Sequence, residues 1–162
     1  MEYRQDYLSS LGELTLVSDG NCLTGLWFGQ VRKDLKEKEL SAFALTRKWL
    51  DIYFHGGIPD FLPPMRLEGT AFRREVWDIL LEIPYGETVT YGEIARQLAK
   101  RRNIEKMSAQ AVGGAVGHNP ISILVPCHRV VGSDGSMTGY GGGIDKKIGL
   151  LLLEGALNGR EM

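Results

Sequence analysis

Residues 108–131 read SAQAVGGAVGHNPISILVPCHRVV, and this stretch decides how the second half of the chain folds. Its opening serine is a residue type that caps helices, and the helix that follows contains the adjacent glycines Gly113 and Gly114. The apolar run 121–125 then predicts an extended, buried segment that leads directly to Cys127. A helix of small residues therefore lies just ahead of a cysteine in the chain.

Helical patterns flank this stretch on both sides. Thr90 and Glu93 have the spacing of a capping box and predict the start of a helix, and a last helix is expected from Asp145 to Glu154. An earlier amphipathic helix is predicted by apolar residues at three- and four-residue spacing: Phe72, Val76, Leu80 and Ile83. The helices at Thr90 and at 109–116 are short and adjacent, which is compatible with a helix-turn-helix.

The first half of the chain has a different pattern. Alternating apolar residues on both sides of the turn cluster 18–21 predict a β-hairpin, and a helix is expected from Leu35 to Phe54. Residues 58–69 contain three prolines, which neither a helix interior nor a central strand accommodates. These prolines predict a linker that divides the chain into residues 1–66 and residues 67–162. The length fits one domain of ordinary size or two small ones packed together.

Composition excludes several classes of protein. The 162 residues carry 19 Lys and Arg against 20 Asp and Glu, so overall charge cannot hold nucleic acid, although the segment 96–106 is locally basic. Two cysteines form neither a disulfide framework nor a four-cysteine zinc site, and the three histidines lack metal-ligand spacing. No signal peptide or membrane-spanning run is visible, so we expect a cytoplasmic protein with reduced thiols and no membrane partner.

Cys127 is the first candidate for chemistry, because a thiolate is a strong nucleophile. In an extended segment the side chain of His128 would point to the opposite side, so a turn or a bridging water would be needed for contact. The alternative is an inert buried thiol, since free cysteine is among the most buried residue types. Glu154 adjoins the apolar run 150–153 and either pairs with His128 or faces solvent in the last helical turn.

The adjacent glycines Gly113 and Gly114 are a second candidate feature. Each costs about 1 kcal/mol relative to alanine in a helix, so a close approach to another group is expected. That group is either a second helix or a nucleic-acid backbone. The minor groove of DNA is only about 6 Å wide, and a helix that enters it needs small side chains.

The motif Pro126-Cys127-His128-Arg129, preceded by residues 113–120, resembles the O6-alkylguanine-DNA alkyltransferases, also called methylated-DNA–protein-cysteine methyltransferases. Four further segments fit this family, and the resemblance covers about residues 68–157: they are 70–86, 88–95, 138–140 and 152–155. The resemblance implies an α/β N-terminal domain that is ribonuclease-H-like, packed on a mainly α, winged-helix-like helix-turn-helix domain that carries the cysteine.

The resemblance also implies an activity. A member of this family is a DNA repair protein that binds double-stranded DNA through the minor groove and flips O6-alkylguanine out of the duplex. It transfers the alkyl group irreversibly to its own cysteine, once per molecule. We expect no cofactor, no metal and no obligate protein partner, and a monomer.

Roles for individual residues follow from the same resemblance. Cys127 is the alkyl acceptor, His128 is its base through a bridging water, and Glu154 holds His128. Asn119 braces the turn that carries the cysteine. Tyr91 steers the target phosphate and can donate a proton to the guanine ring.

Substrate and DNA contacts are implied as well. Backbone groups near Val130 and Gly141 would read the edge of the base, and Tyr140 would form a wall of the pocket. The glycine-rich helix becomes the recognition helix, and its DNA-contacting residues are Gln110, Ala111, Gly113 and Gly114. Apart from the resemblance, the locally basic segment predicts phosphate contacts by Lys100, Arg101 and Arg102; the alternative is a solvated helix end and connector.

Two positions depart from the family pattern. Gln110 stands where many members have an arginine that fills the space left by the flipped nucleotide, so weaker flipping is expected. Gly141 replaces a serine or a similar residue of some relatives, which predicts a roomier pocket.

Three other functions fit parts of the sequence. Non-catalytic alkyltransferase-like proteins clamp the lesion without repairing it, but they lack the acceptor cysteine. A thiol hydrolase or redox sensor would use Cys127 and His128 without needing a glycine-rich helix. An adaptive-response regulator needs an activator domain, for which we expect no room in 162 residues.

Overall fold

The structure is a computed structural model that describes residues 1–137 and 139–156. Thr138, part of the motif at 138–140, and the end of the predicted second domain from residue 157 lie outside the described residues. Two compact units are present: one contains residues 1–68 and 120–124, and the other contains residues 69–119 and the described residues between 125 and 156. Strands and helices occur in both units, so the chain has mixed α/β content.

The first unit contains a four-stranded sheet and one helix. Strands β1 (Tyr3–Ser9), β2 (Gly12–Ser18) and β3 (Leu23–Phe28) pair antiparallel, which confirms the predicted hairpin between β2 and β3. A short strand, β4 (Lys36–Glu37), pairs in parallel with β1, so the sheet order is β3-β2-β1-β4. Helix α1 (Ser41–Phe54) completes the unit.

The predicted helix from Leu35 to Phe54 was too long at its start. Residues 36–39 are all charged and exposed, so they offer no apolar face for a helix to bury. The first two of them pair with β1 instead. The buried stripe of α1 begins at Ala42 and Phe43, directly after the observed helix start.

The predicted extended segment at 121–125 is also wrong in most of its length. Ile121 forms an isolated parallel bridge with Leu26, but residues 122–124 turn, and Ile123 adopts a left-handed φ of 72°. A strand would direct alternate side chains to opposite faces. In the turn the consecutive residues 123–125 are all buried, and this burial accounts for the departure.

The second unit is mainly helical and has three helices with side-chain caps. They are α2 (Ala71–Leu81), capped by Thr70; α3 (Tyr91–Arg101), capped by Thr90; and α4 (Ala109–Gly117), capped by Ser108. In each case the hydroxyl accepts a hydrogen bond from the third residue beyond it. The caps at Thr90 and Ser108 are those that the sequence predicts.

The remaining elements of this unit surround the cysteine. A 3₁₀ turn at Cys127–Arg129 leads into β6 (Val130–Val131), which pairs in parallel with β5 (Val89–Thr90). Helix α5 (Ile144–Leu153) begins and ends within one residue of its predicted limits. In the described ranges 1–137 and 139–156, no helix has the length and apolar character needed to cross a membrane.

Helices α2 and α4 are joined through Trp77. Its side chain has 0% exposure, and its indole Nε1 donates a hydrogen bond of 2.9 Å to the carbonyl of Ala115. The largest buried side chain of α2 thereby satisfies a backbone group of the small-residue helix. This contact links α4 to α2.

We expect Trp77→Phe to lower the free energy of unfolding by about 2 kcal/mol, because it removes this hydrogen bond and leaves unfilled space in the core. Urea unfolding followed by circular dichroism measures the change. Trp27→Phe, at a half-buried position in the other unit, serves as the control and should cost less than about 1 kcal/mol. Equal losses in the two variants would contradict the role given to Trp77.

Candidate active site

Cys127 lies in a tight turn and not in the extended segment that the sequence predicts. Its N–H donates to the Val125 carbonyl at 2.8 Å, and the N–H of Arg129 donates to the Pro126 carbonyl at 3.0 Å. The argument that Cys127 and His128 point to opposite sides of a strand therefore no longer applies.

Asn119 stabilises this turn from the end of α4. Its buried Nδ2 donates a hydrogen bond of 2.8 Å to the Val125 carbonyl, and its side chain also hydrogen-bonds the Cys127 thiol. One amide group thus contacts both the backbone before the cysteine and the sulfur itself. This is the position in which the predicted bracing role can be performed.

Cys127 is 8% exposed as a residue, and the surroundings of its thiol favour the protonated form. Burial raises the pKa of the thiol, while the hydrogen bond from Asn119 and the positive charge of Lys147 act in the opposite direction. The net direction is upward, so the resting group at neutral pH is the thiol. Activation as a nucleophile requires a base.

The carboxylate of Glu154, at the C-terminal cap of α5, accepts hydrogen bonds at both of its oxygens. Oε2 accepts from His128 Nε2 at 2.7 Å and from Arg129 Nη2 at 3.0 Å. Oε1 accepts from Arg129 Nε at 2.8 Å and from the Gly86 N–H at 3.1 Å. The alternative in which Glu154 faces solvent is therefore wrong.

These bonds determine which nitrogen of His128 carries the proton. An ionised carboxylate only accepts hydrogen bonds, so Nε2 of His128 is the donor, and Nδ1 of the neutral ring carries the lone pair. Burial lowers the pKa of His128, and the hydrogen bond to Glu154 opposes that effect. Nδ1 has no hydrogen-bond partner in the described part of the chain. His128 is consequently a neutral imidazole that is able to accept a proton.

Lys147 is a functional candidate that sequence reasoning missed. It is fully buried in α5, its Nζ donates to the Val130 carbonyl at 2.6 Å, and its charge acts on Cys127. A signal was present, because Lys147 precedes Leu150, Leu151 and Glu154 by three, four and seven residues and so lies on the buried face of the helix.

Arg129 was noted only as part of the sequence motif. The structure makes it the second partner of Glu154, and its Nη1 also donates to the Ile83 carbonyl at 2.7 Å.

Tyr91 begins α3 and is half-buried. Burial, and secondarily the charge that Cys127 would carry, raise the pKa of its phenol, so the hydroxyl stays protonated and can donate. A Cβ atom added at Gly139 would lie 3.6 Å from the Tyr91 hydroxyl, and one at Gly113 would lie 3.8 Å from the ring. The two glycines leave space around this side chain.

The exposed face of α4 carries the predicted DNA contacts. Gln110, Ala111 and Gly114 are exposed, and Gly113 is half-buried. Among the described residues, none approaches within 4 Å of a Cβ atom added at Gly114, so no internal helix contact requires a glycine there. The exposure of Gln110 is compatible both with a DNA contact and with a purely solvent-facing role.

The three basic residues predicted to contact phosphates are exposed at the end of α3 and in the connector. Arg101 pairs with Glu82 at 3.0 Å, and Arg102 pairs with Glu75 at 3.0 Å, while Lys100 lines a groove beside α3. Exposed ion pairs contribute less than about 1 kcal/mol, so exchange of a carboxylate for a phosphate costs little.

The predicted substrate contacts lie on both sides of the glycine-rich loop. Val130 is buried in β6, and its carbonyl already accepts from Lys147, although a carbonyl has a second lone pair. Tyr140 is half-buried, and its carbonyl accepts from the Gly143 N–H at 3.0 Å; Gly141 is exposed. Within the described ranges, no group of three or more side chains has the composition of a metal site.

Comparison with known proteins places this site in a family. Residues 71–156 match the family model described as 6-O-methylguanine DNA methyltransferase, DNA binding domain. The chain is 42% identical over 158 residues to a methylated-DNA–protein-cysteine methyltransferase of Haemophilus influenzae, with 94% of this chain and 86% of that protein covered.

A protein of the same name from Mycobacterium bovis is 45% identical over 150 residues, which cover 90% of this chain and 88% of the relative. Among solved structures, Mycobacterium tuberculosis OGT in complex with DNA superimposes with a TM-score of 0.80 at 44% identity. That match covers 96% of this chain and 92% of the other.

We expect Asn119→Ala to slow the alkylation of Cys127 by iodoacetamide about tenfold at pH 7.5, because a lost hydrogen bond to the sulfur raises the pKa of the thiol. The rate should recover as the pH rises. Both rates are measured in the Cys22→Ala background, with and without Asn119→Ala, so that Cys127 is the one thiol in the chain. An equal rate in parent and variant at every pH would show that the hydrogen bond does not tune the thiol.

Proposed function

Because the chain belongs to the methylated-DNA–protein-cysteine methyltransferase family, we propose that Cys127 is the residue that accepts the alkyl group. The protein repairs O6-alkylguanine in DNA by direct reversal, with transfer of the alkyl group to a cysteine. The observation that carries the assignment is a buried thiol followed directly in the chain by His128, a buried neutral imidazole whose Nε2 is held by Glu154.

Proton transfer comes first. The thiol proton moves to Nδ1 of His128 through a bridging water, and the carboxylate of Glu154 stabilises the imidazolium that forms. The buried charge of Lys147 favours the thiolate. Since the proton stays within the site, activation adds no net charge to the protein interior.

Group transfer follows by displacement at carbon. The Cys127 sulfur forms a bond to the alkyl carbon as the bond from that carbon to O6 breaks, and its electron pair goes to the guanine. The guanine takes up one proton, which the neutral Tyr91 hydroxyl donates. The proton that His128 took from the thiol then replaces the one that Tyr91 gave up. The products are a thioether and normal guanine, so each molecule reacts once.

The base must leave the duplex before it reaches a buried sulfur. Flipping costs a few kcal/mol, and the cost is lowest for a poorly paired base such as an O6-alkylguanine. Backbone groups of Val130 and Gly141 then read the base edge, and Tyr140 forms a wall of the pocket. The exposure of Gly141 supports the roomier pocket that its lack of a side chain predicts.

Helix α4 is assigned to the minor groove of double-stranded DNA. Support comes from its exposed face. No contact among the described residues requires a glycine at position 114, and Gln110 lies one helical turn away on the same face. Lys100, Arg101 and Arg102 are assigned to phosphates on the adjoining side. We propose further that the protein acts as a monomer without an obligate protein partner.

Finer fold assignments belong to the same proposal. The sheet with three antiparallel strands and a parallel fourth supports a ribonuclease-H-like N-terminal domain. Helices α3 and α4, followed by the β5–β6 pair, support a winged-helix-like helix-turn-helix domain.

Incubation with an excess of duplex DNA containing O6-methylguanine should add one methyl group per protein molecule, and peptide mapping should locate it on Cys127. Cys127→Ala should keep DNA binding and lose all transfer, whereas Cys22→Ala should keep both. Intact mass spectrometry measures the stoichiometry. A sustained second turnover would contradict the assignment.

A second experiment tests the recognition helix. Gln110→Arg should speed transfer from duplex DNA about tenfold, since charge-assisted hydrogen bonds are about twice as strong as neutral ones and better stabilise the flipped state. Transfer from the free base needs no flipping and should change little. Gln110→Ala should slow the duplex reaction selectively, and equal duplex rates for all three proteins would mean that Gln110 only faces solvent.

A further inference from the structure

Arg129 is a buried cation to which the chemistry above gives no role. Its side chain uses three nitrogens: Nε and Nη2 grip the two oxygens of Glu154, and Nη1 donates to the Ile83 carbonyl. The guanidinium also lies over the ring of Tyr85, 5.8 Å from its centroid. Arginine suits this position because its planar fork matches both oxygens of a carboxylate at once.

These contacts join three segments that are distant in sequence. Arg129 belongs to the turn that carries Cys127, and Glu154 caps α5. Ile83 and Gly86 flank the turn between α2 and β5, and the Gly86 N–H donates to the same carboxylate. Arg129 therefore contacts α5 through Glu154 and, through Ile83, the segment whose Gly86 N–H donates to the same carboxylate.

The charges around His128 give this geometry a chemical consequence. The groups that act on the imidazole are the anion of Glu154 and the cations of Arg129 and Lys147, while Cys127 is the adjacent residue. A buried carboxylate needs a positive partner. Arg129 supplies that partner, so the proton on Nδ1 of His128 is not required for charge balance.

We infer that Arg129 is a positioning residue that fixes the protonation state of the base: by neutralising Glu154, it keeps His128 as the neutral ring whose Nδ1 accepts the Cys127 proton. This inference rests on the proposed role of His128 as that base. Without the guanidinium, Glu154 would draw a proton onto His128, and an imidazolium accepts none.

The direction of the expected change follows from the charges. Burial is the main cause that lowers the pKa of His128; Glu154 raises it, and Arg129 and Lys147 lower it. Removal of the positive charge at position 129 must therefore raise the pKa of His128. The site should then need a higher pH to hold the neutral ring.

The first test is NMR titration of the histidine side chains in Arg129→Met and Arg129→Lys. The chain has three histidines, and His55 and His118 are exposed, so His55→Gln and His118→Gln assign the signals. Arg129→Met should move the His128 titration to higher pH. Arg129→Lys keeps the charge and should keep the parental titration.

The second test is alkylation of Cys127 by iodoacetamide in the Cys22→Ala parent. In Arg129→Met the rate at pH 6.5 relative to that at pH 8.5 should fall about tenfold, the effect of moving a pKa by one unit. The double variant Arg129→Met/Glu154→Gln removes both charges and should lose this added pH dependence. Arg129→Lys should keep the parental pH dependence even where its rate is lower.

A purely structural role predicts a different result, in which Arg129→Met loses rate equally at all pH values. That outcome overturns the inference, and so does a shifted pH dependence in Arg129→Lys. The Arg129→Lys measurement can be made even where Arg129→Met does not fold. Neither test uses DNA. If the unaltered protein repairs duplex DNA but Arg129→Met leaves the His128 titration unmoved, only the role of Arg129 is wrong. If the titration moves but the unaltered protein shows no transfer, only the proposed function is wrong.

Discussion

The buried carboxylate of Glu154 is the group on which the site depends. It accepts hydrogen bonds from His128 and Arg129 in the turn of the cysteine and from Gly86 in the turn ahead of β5. A buried anion is stable only when such donors surround it, and breaking a buried pair costs about 3–5 kcal/mol. The position of Cys127 is thereby fixed from the far end of α5.

The surroundings of Cys127 keep its thiol protonated at rest and still allow it to react. Burial holds Cys127 in the protonated form, so the resting protein does not expose a thiolate to other electrophiles. In the proposed mechanism one proton moves from the thiol to His128, and the positive charge of Lys147 favours the thiolate that remains. For a protein whose nucleophile is used once, a thiol that stays protonated at rest limits wasteful reactions.

The helices were predictable because their signals are local. The caps at Thr90 and Ser108 and the periodic apolar residues of α2 are contained within a few residues of sequence. Strand β4 was not predictable, since two charged residues become a strand only through the parallel pairing offered by β1. The turn at Cys127 was missed for a similar reason, because the side chain of Asn119 holds it from outside the segment.

The site residues also divide into those with a local sequence signal and those whose role depends on a distant segment. The sequence motif and the family resemblance identified Cys127, His128 and Glu154, and the structure brings the last two together at 2.7 Å. Lys147 was overlooked because a lysine on an apolar stripe is normally placed at the rim, with its amine in water. Here the amine finds an acceptor in the Val130 carbonyl, supplied by a segment that precedes it by 17 residues. A charge on the buried face of a predicted helix is therefore an indication that another segment provides its partner.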